Sequence, residues 1–280
     1  MLRTSTQIKA LVRNKSKGDS TKALMLIRSY FMERFLERVS LSEYKDCFIL
    51  KGGLLISAIV GLDIRSTMDI DGTIKNMPLT LSSARHMLEK IIAIPIEDNT
   101  VFTIKRVEEV MEDAEYGGIR AALDAQMDSM RTPLKIDISV GDVITPRETA
   151  HPYKLMFENR TIFVWAYNLE TLLAEKLETV VSRGALNTRL RDFYDIHMLS
   201  NEKTYPIARD TFKLAFAATT TKRGTAFLLA ASDSILQEIQ DSEAMQHLWR
   251  DYQRKFDHAK AITWTQVMLS VRRLLSLAVD

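Results

Sequence analysis

One cysteine, Cys47, is all the thiol that this 280-residue chain carries. A disulfide within the chain is therefore excluded, and a reducing compartment is expected. Cys47 lies in an apolar, strand-like run and reads as a small core residue. No apolar run approaches the ~18 residues needed to span a bilayer. The first residues also lack the uninterrupted apolar segment of a secretory leader. No membrane partner and a cytoplasmic location are the expectations. No internal repeat and no low-complexity tract is visible. A strong net charge is missing too: the balance is +2, which points neither toward nor away from nucleic acid. The imbalance is local. Within the first 22 residues Arg3, Lys9, Arg13, Lys15, Lys17 and Lys22 face only Asp19. That stretch is either a phosphate-contacting edge or a solvated, partly frayed terminus.

What is present is enough apolar material for a packed core. Hydrophobic residues make up 46% and charged residues 26%, and the length suits one large or two ordinary domains. Ser20 and Thr21 offer caps for a long helix whose Leu24, Ile27, Phe31, Phe35 and Val39 form one stripe. Residues 47–50 read as a short buried strand, Gly52-Gly53 as a tight turn, and residues 54–60 as a helix. Strands are expected over 68–74, 102–107, 134–140 and 161–165, with a helix over 81–92. In residues 134–140 the alternation sends Ile136, Ile138 and Val140 to one face and Lys135, Asp137 and Ser139 to the other. From Asn168 onward the texture is helical, with segments at 169–181, 189–199, 207–217, 234–239, 245–259 and 265–278. Two domains follow: a mixed α/β lobe with N-terminal helices over 1–167 and a helical lobe over 168–280.

The chemistry concentrates in three places. First, Arg65-Ser66-Thr67-Met68-Asp69-Ile70-Asp71 puts two carboxylates on alternate residues, hence side by side if the segment is extended. Adjacent carboxylates repel unless a proton or a cation relieves them. Mg²⁺ suits the pair, because it takes one or two carboxylates plus substrate phosphates. Asp71-Gly72 is also a common hairpin-turn dipeptide, which leaves a plain turn open. Asp137, on the polar face of its strand, is a candidate third carboxylate facing the same cleft, as a two-metal site requires. An ordinary exposed strand aspartate is its rival. Second, Lys51 and the Gly52-Gly53 turn precede a helix, whose N-terminal N–H groups suit phosphates. Third, Lys176 shares a helix with Leu172, Leu173 and Leu177, while Asp192 and Asp195 share a face of the next. Lys176 could meet a triphosphate as a mobile point charge. Equally, Lys176 or Arg183 could bridge to Asp192 in a structural ion pair.

Taken together, Gly52-Gly53, Arg65-x-Thr67-x-Asp69-Ile70-Asp71, Asp137, Glu175-Lys176-Leu177 and Arg191-Asp192-x-x-Asp195 resemble the AbiEii/AbiGii toxin family. Its members are nucleotidyltransferase-fold toxins of bacterial abortive-infection and toxin–antitoxin systems. The resemblance covers residues 48 to 196 and keeps the order of the motifs. It implies an α+β fold, with a DNA polymerase β-like nucleotidyltransferase core and a helical C-terminal lobe. It implies Mg²⁺ on Asp69 and Asp71, with Asp137 as a possible third ligand, and a nucleoside triphosphate as substrate. By the same resemblance Lys176 and Asp192 match essential residues, and Asp195 belongs to the same motif. Lys51, Gly52, Gly53, Arg65, Ser66 and Thr67 complete the expected nucleotide contacts. The acceptor implied is the tRNA acceptor end, and the partner a cognate antitoxin, often a winged-helix protein. Some members carry a Gly-Ser pair about ten residues before the Asp-x-Asp. Here the pair is Gly-Gly with fifteen residues between Gly53 and Asp69, so Ser57 or Ser66 is left to supply any serine contact. Two other functions fit the same residues: modification of a protein hydroxyl, and a non-catalytic relative that binds RNA or protein.

Overall fold

The structure is a computed structural model, and it describes residues 2–61, 65, 67–110, 117–200 and 205–279. Among these, ten helices and seven strands form two units. One comprises Met1–Asp142 and Thr149–Ala166; the other comprises Val143–Glu148 and Tyr167–Asp280.

The first unit opens with α1 (Ser5–Ser16) and α2 (Ser20–Leu41). The basic N-terminal stretch is thus a helix, begun by a capping box between Thr4 and Gln7. It buries Ile8 and Val12 and leaves Lys9 and Arg13 exposed. In α2 the cap is Asp19, whose carboxylate accepts from the backbone N–H of Lys22 at 2.9 Å, in place of Ser20 or Thr21. Leu24 falls outside the buried stripe, at 69% exposed. Farther along, burial runs right round the helix: Tyr30 to Val39 are all buried, with Glu33, Arg34, Glu37 and Arg38 among them. Buried charges need partners. Arg38 holds Asp98 through two bonds of 2.8 and 2.9 Å. Arg34 and Arg160 hold Glu37 and Glu158. Glu33 accepts from the N–H of Met156, and its burial raises the carboxyl to about 8.

The sheet is built from β1 (Phe48–Lys51), β2 (Asp69–Ile74), β3 (Val101–Val110), β4 (Gly118–Met127), β5 (Met130–Val140), β6 (Thr149–Lys154) and β7 (Thr161–Ala166). Its order is β3-β4-β5-β2-β1-β7-β6. Pairing is antiparallel except for β2 with β5 and β1 with β7. Helix α3 (Gly52–Val60) follows β1, and α4 (Leu81–Ile92) follows β2. Phe35 of α2 meets Phe48 of β1 and Phe102 of β3 edge-on, at 6.5 and 6.1 Å. Phe48, Ile70, Ile136 and Ile138 share that apolar face; Asp69, Asp71 and Asp137 lie on the opposite one. Val140 ends its strand 37% exposed and is not part of the core.

Strands β4 and β6 lie where no strand is expected from the sequence. In β4 the inward positions alternate Ile119, Ala121, Leu123, Ala125 and Met127, and alanine carries little strand signal. In β6 the outermost position in the sheet tolerates Pro152, a residue that argues against a central strand.

The second unit contains α5 (Leu169–Arg183), α6 (Leu190–Leu199), α7 (Arg209–Lys222), α8 (Ser232–Asp241), α9 (Glu243–Lys255) and α10 (Trp264–Val279). Asn168 caps α5 by accepting from the N–H of Thr171 at 2.8 Å. Its amide also donates to the carbonyls of Thr145 and Arg147, at 2.8 and 3.0 Å. Those bonds bind segment Val143–Glu148 to the helical unit, a placement its position between two strands did not foretell. Among the described residues no helix is long and apolar enough to cross a membrane.

Candidate active site

The carboxylates are positioned by ladder register. Asp71 of β2 stands opposite Lys51 of β1 on one side and Asp137 of β5 on the other. Asp69 stands opposite Lys135, and Asp137 opposite Arg120 of β4. Side chains directly opposite share a face, so one polar sheet face carries three carboxylates and three cations.

The glycine turn is shaped around this face. Gly52 sits at φ +62, and a Cβ there would lie 2.2 Å from Asp71 Oδ2. A Cβ on Gly53 would lie 2.6 Å from Thr67 Oγ1 and 3.3 Å from an Arg65 nitrogen. The two glycines therefore allow Asp71, Thr67 and Arg65 to close against the start of α3. The N–H of Gly53 donates to Asp71 Oδ2 at 3.2 Å, so the positive end of α3 already faces a carboxylate. Burial raises the Asp71 carboxyl above its ordinary range; the Gly53 bond opposes the shift, while Asp137 and Asp69 add to it.

Each remaining group on the face has a partner. Arg120 grips Asp137 in a fork, Nε to Oδ1 at 2.7 Å and Nη2 to Oδ2 at 3.0 Å. Lys135 Nζ lies 2.9 Å from Asp69 Oδ2 and 3.4 Å from Asp137 Oδ2. Lys51 Nζ reaches Asp142 at 2.5 Å, and Ser139 Oγ donates to the same carboxylate at 2.7 Å. Ser57, a candidate serine contact, is buried and donates back to the carbonyl of Gly53. Ser66 lies outside the described residues.

In the helical unit Lys176 of α5 bridges two aspartates of α6. Its Nζ lies 2.6 Å from Asp192 Oδ1 and 2.8 Å from Asp195 Oδ2. Burial is deep: 12% exposure for Lys176, 15% for Asp192 and none for Asp195. Next to it on α5, Glu178 is buried against Arg223 and Thr225.

Residues 34–268 match the nucleotidyl transferase AbiEii toxin family of type IV toxin–antitoxin systems. The chain belongs to that family. It is accordingly a nucleotidyltransferase and the toxin of a toxin–antitoxin pair; an antitoxin counterpart and a nucleoside triphosphate substrate come with the family. Solved structures are similar to the chain at low identity. JHP933 from Helicobacter pylori is 13% identical, with 90% of this chain and 92% of that chain covered and a TM-score of 0.49. An antigenic nucleotidyltransferase-like protein from Paracoccidioides brasiliensis is 13% identical, covering 83% and 94%, with a TM-score of 0.39. No curated protein matches the sequence.

Nucleotidyltransferases of this kind usually take a divalent metal, and the AbiEii site offers a donor set for one. Asp69 and Asp71 are hard oxygen donors on adjacent same-face positions, and two carboxylates are what Mg²⁺ takes from a protein when phosphates supply the rest. Among the described residues no group of three or more His, Cys, Asp or Glu is placed to hold a metal ion.

Three of these contacts escaped the sequence reading. Lys135 was legible in principle, since it precedes Asp137 by two in an alternating strand. Arg120 depended on β4, and Asp142 on β2 pairing with both β1 and β5.

Proposed function

We propose that this AbiEii toxin transfers a nucleoside monophosphate from a triphosphate to a terminal hydroxyl of tRNA, with Mg²⁺ required. The supporting observation is the Asp69/Asp71 pair, set on one polar sheet face against the Gly52-Gly53 turn. Asp69 and Asp71 would hold the ion, which when bound neutralises charge developing on the phosphates. The chain's own task is positioning and charge. Gly53 fixes the Asp71 carboxylate, and Arg120 and Lys135 fix Asp137. The acceptor oxygen forms its bond to the α-phosphorus in line as the bond to pyrophosphate breaks, and the hydroxyl proton passes to solvent. The acceptor, a winged-helix antitoxin, a cytoplasmic location and a role in phage defence rest on family resemblance. For Lys176, Asp192 and Asp195 the same resemblance supports a requirement in the reaction.

The test is incubation of the purified protein with each α-labelled triphosphate, Mg²⁺ and either deacylated tRNA or cell protein. Label on tRNA that disappears with Asp71→Asn is the expected result. Label on protein alone would replace the acceptor, and absence of pyrophosphate release with every triphosphate would remove the activity.

A further inference from the structure

The three carboxylates of the sheet face are not equivalent. Asp71 takes a backbone N–H. Asp137 is held by two cations, with Arg120 using both of its oxygens and Lys135 beside one of them. Among the described residues, the ion pair of Asp69 is with Lys135, at 2.9 Å. A divalent ion approaching Asp137 meets a guanidinium and an ammonium already in contact with it. Among the described contacts, an ion approaching Asp69 and Asp71 meets the Lys135 ammonium on Asp69, and that ammonium keeps Asp137 as its other partner.

We propose that Lys135 is the second cation of this site: one metal ion binds Asp69 and Asp71, and Lys135 takes the place of a second. Asp137, locked by Arg120, acts as the positioning residue that retains the ammonium. Lys135 then shifts from bridging two carboxylates to resting on Asp137 alone, where its remaining protons face the substrate phosphates. A lysine suits this exchange because its ammonium is a compact charge on a flexible stem. The proposal rests on the nucleotidyltransfer reading above and assigns that reading a one-metal form.

The experiment titrates the metal-free full chain with Mn²⁺, following free Mn²⁺ by electron paramagnetic resonance. Wild type is expected to bind one ion per chain, and Asp71→Asn none. Lys135→Met should bind one ion about fivefold more tightly, since a competing half-exposed contact is gone. Its turnover at saturating metal should nevertheless fall about 100-fold, as when one charge-stabilising donor is lost, with Lys135→Arg partly restored. Asp137→Asn should leave the count at one. Lys135→Gln, checked for an unchanged melting curve, repeats the comparison should the methionine variant fold poorly. Two ions in wild type with one lost in Asp137→Asn would overturn the proposal. So would Lys135→Met with unaltered affinity and turnover; in that case one ion lost in Asp71→Asn would leave the nucleotidyltransfer reading standing. No Mn²⁺ bound by wild type would overturn both.

Discussion

Each unit of this toxin places one lysine between two aspartates, and the two arrangements are built for different ends. On the sheet face Lys135, Asp69 and Asp137 are 37%, 31% and 29% exposed. In the helical unit Lys176 and Asp192 are nearly covered and Asp195 wholly so. Half-exposed ion pairs contribute little to stability and exchange readily. A buried lysine between two carboxylates leaves uncompensated charge behind when it is removed. The contrast teaches that the same ingredients can be left half-exposed on a sheet face or closed between two helices, and that solvent access sets how readily their contacts exchange.

The largest effect that sharpens this contrast is expected from Asp71→Asn. Turnover should drop by about 1000-fold or more, read as pyrophosphate release, because the ion loses half its protein ligands. Stability should move the other way. A carboxyl whose folded pKa is raised favours the folded state at low pH and loses that advantage as pH climbs from the unfolded to the folded value. The asparagine variant, lacking the titration, should melt above wild type at neutral pH without metal, and the gap should close on acidification. A lower melting temperature at pH 7 would place Asp71 with the structural group.

Next in size is Lys176→Met. Breaking a buried pair costs about 3–5 kcal/mol, so denaturant unfolding should shift strongly. Lys135→Met should cost less than about 1 kcal/mol in the same assay. Equal costs would break the comparison. Should Lys176→Met stay folded and bind triphosphate poorly, the helical triad would have both roles.

A third outcome concerns the turn. Gly52→Ala combines a left-handed backbone with a Cβ aimed at Asp71. It should impair turnover more than Gly18→Ala, where the left-handed conformation is shared but nothing lies within 4 Å. Similar turnover in the two variants would show that the close approach to Asp71 is unimportant.

The smallest effect is expected at Glu33, far from either lysine in chain and role. Its carboxyl is raised to about 8 by burial. Stability from this group is therefore greatest below its ordinary value of 4.5 and is lost as pH rises toward 8. Glu33→Gln, which still accepts from Met156, should flatten that decline in melting temperature. An unchanged pH profile would show that Glu33 titrates normally.

The legible parts were those with strong local signals. The turn at Gly52-Gly53, the strand through Asp69 and Asp71, and the alternating strand with Asp137 all carry their period in a few residues. Leu81 to Ile92 likewise gave its helix through apolar spacing. Illegible were the elements whose reason for existing is a neighbour. Strand β4 looks alanine-rich and polar until β3 and β5 flank it. The charged residues of α2 look solvent-facing until Asp98, Glu158 and Arg160 arrive from distant segments. Arg120 and Lys135 were hidden for the same cause, since their meaning comes from the row of side chains across the sheet and not from their own strands.

The parallel pairing of β2 with β5 carries a consequence for synthesis. Asp71 and its partner Asp137 lie 66 residues apart in sequence, and the intervening chain must first lay down α4 and the β3-β4-β5 meander. Distant pairings close late, because the loop entropy precedes the reward. A nascent chain that has exposed only the Asp-x-Asp strand therefore has its two carboxylates without the strand that supplies Asp137 and Lys135. The polar face is completed only once residue 140 has left the ribosome, and the cell making this toxin has that interval before an assembled site exists.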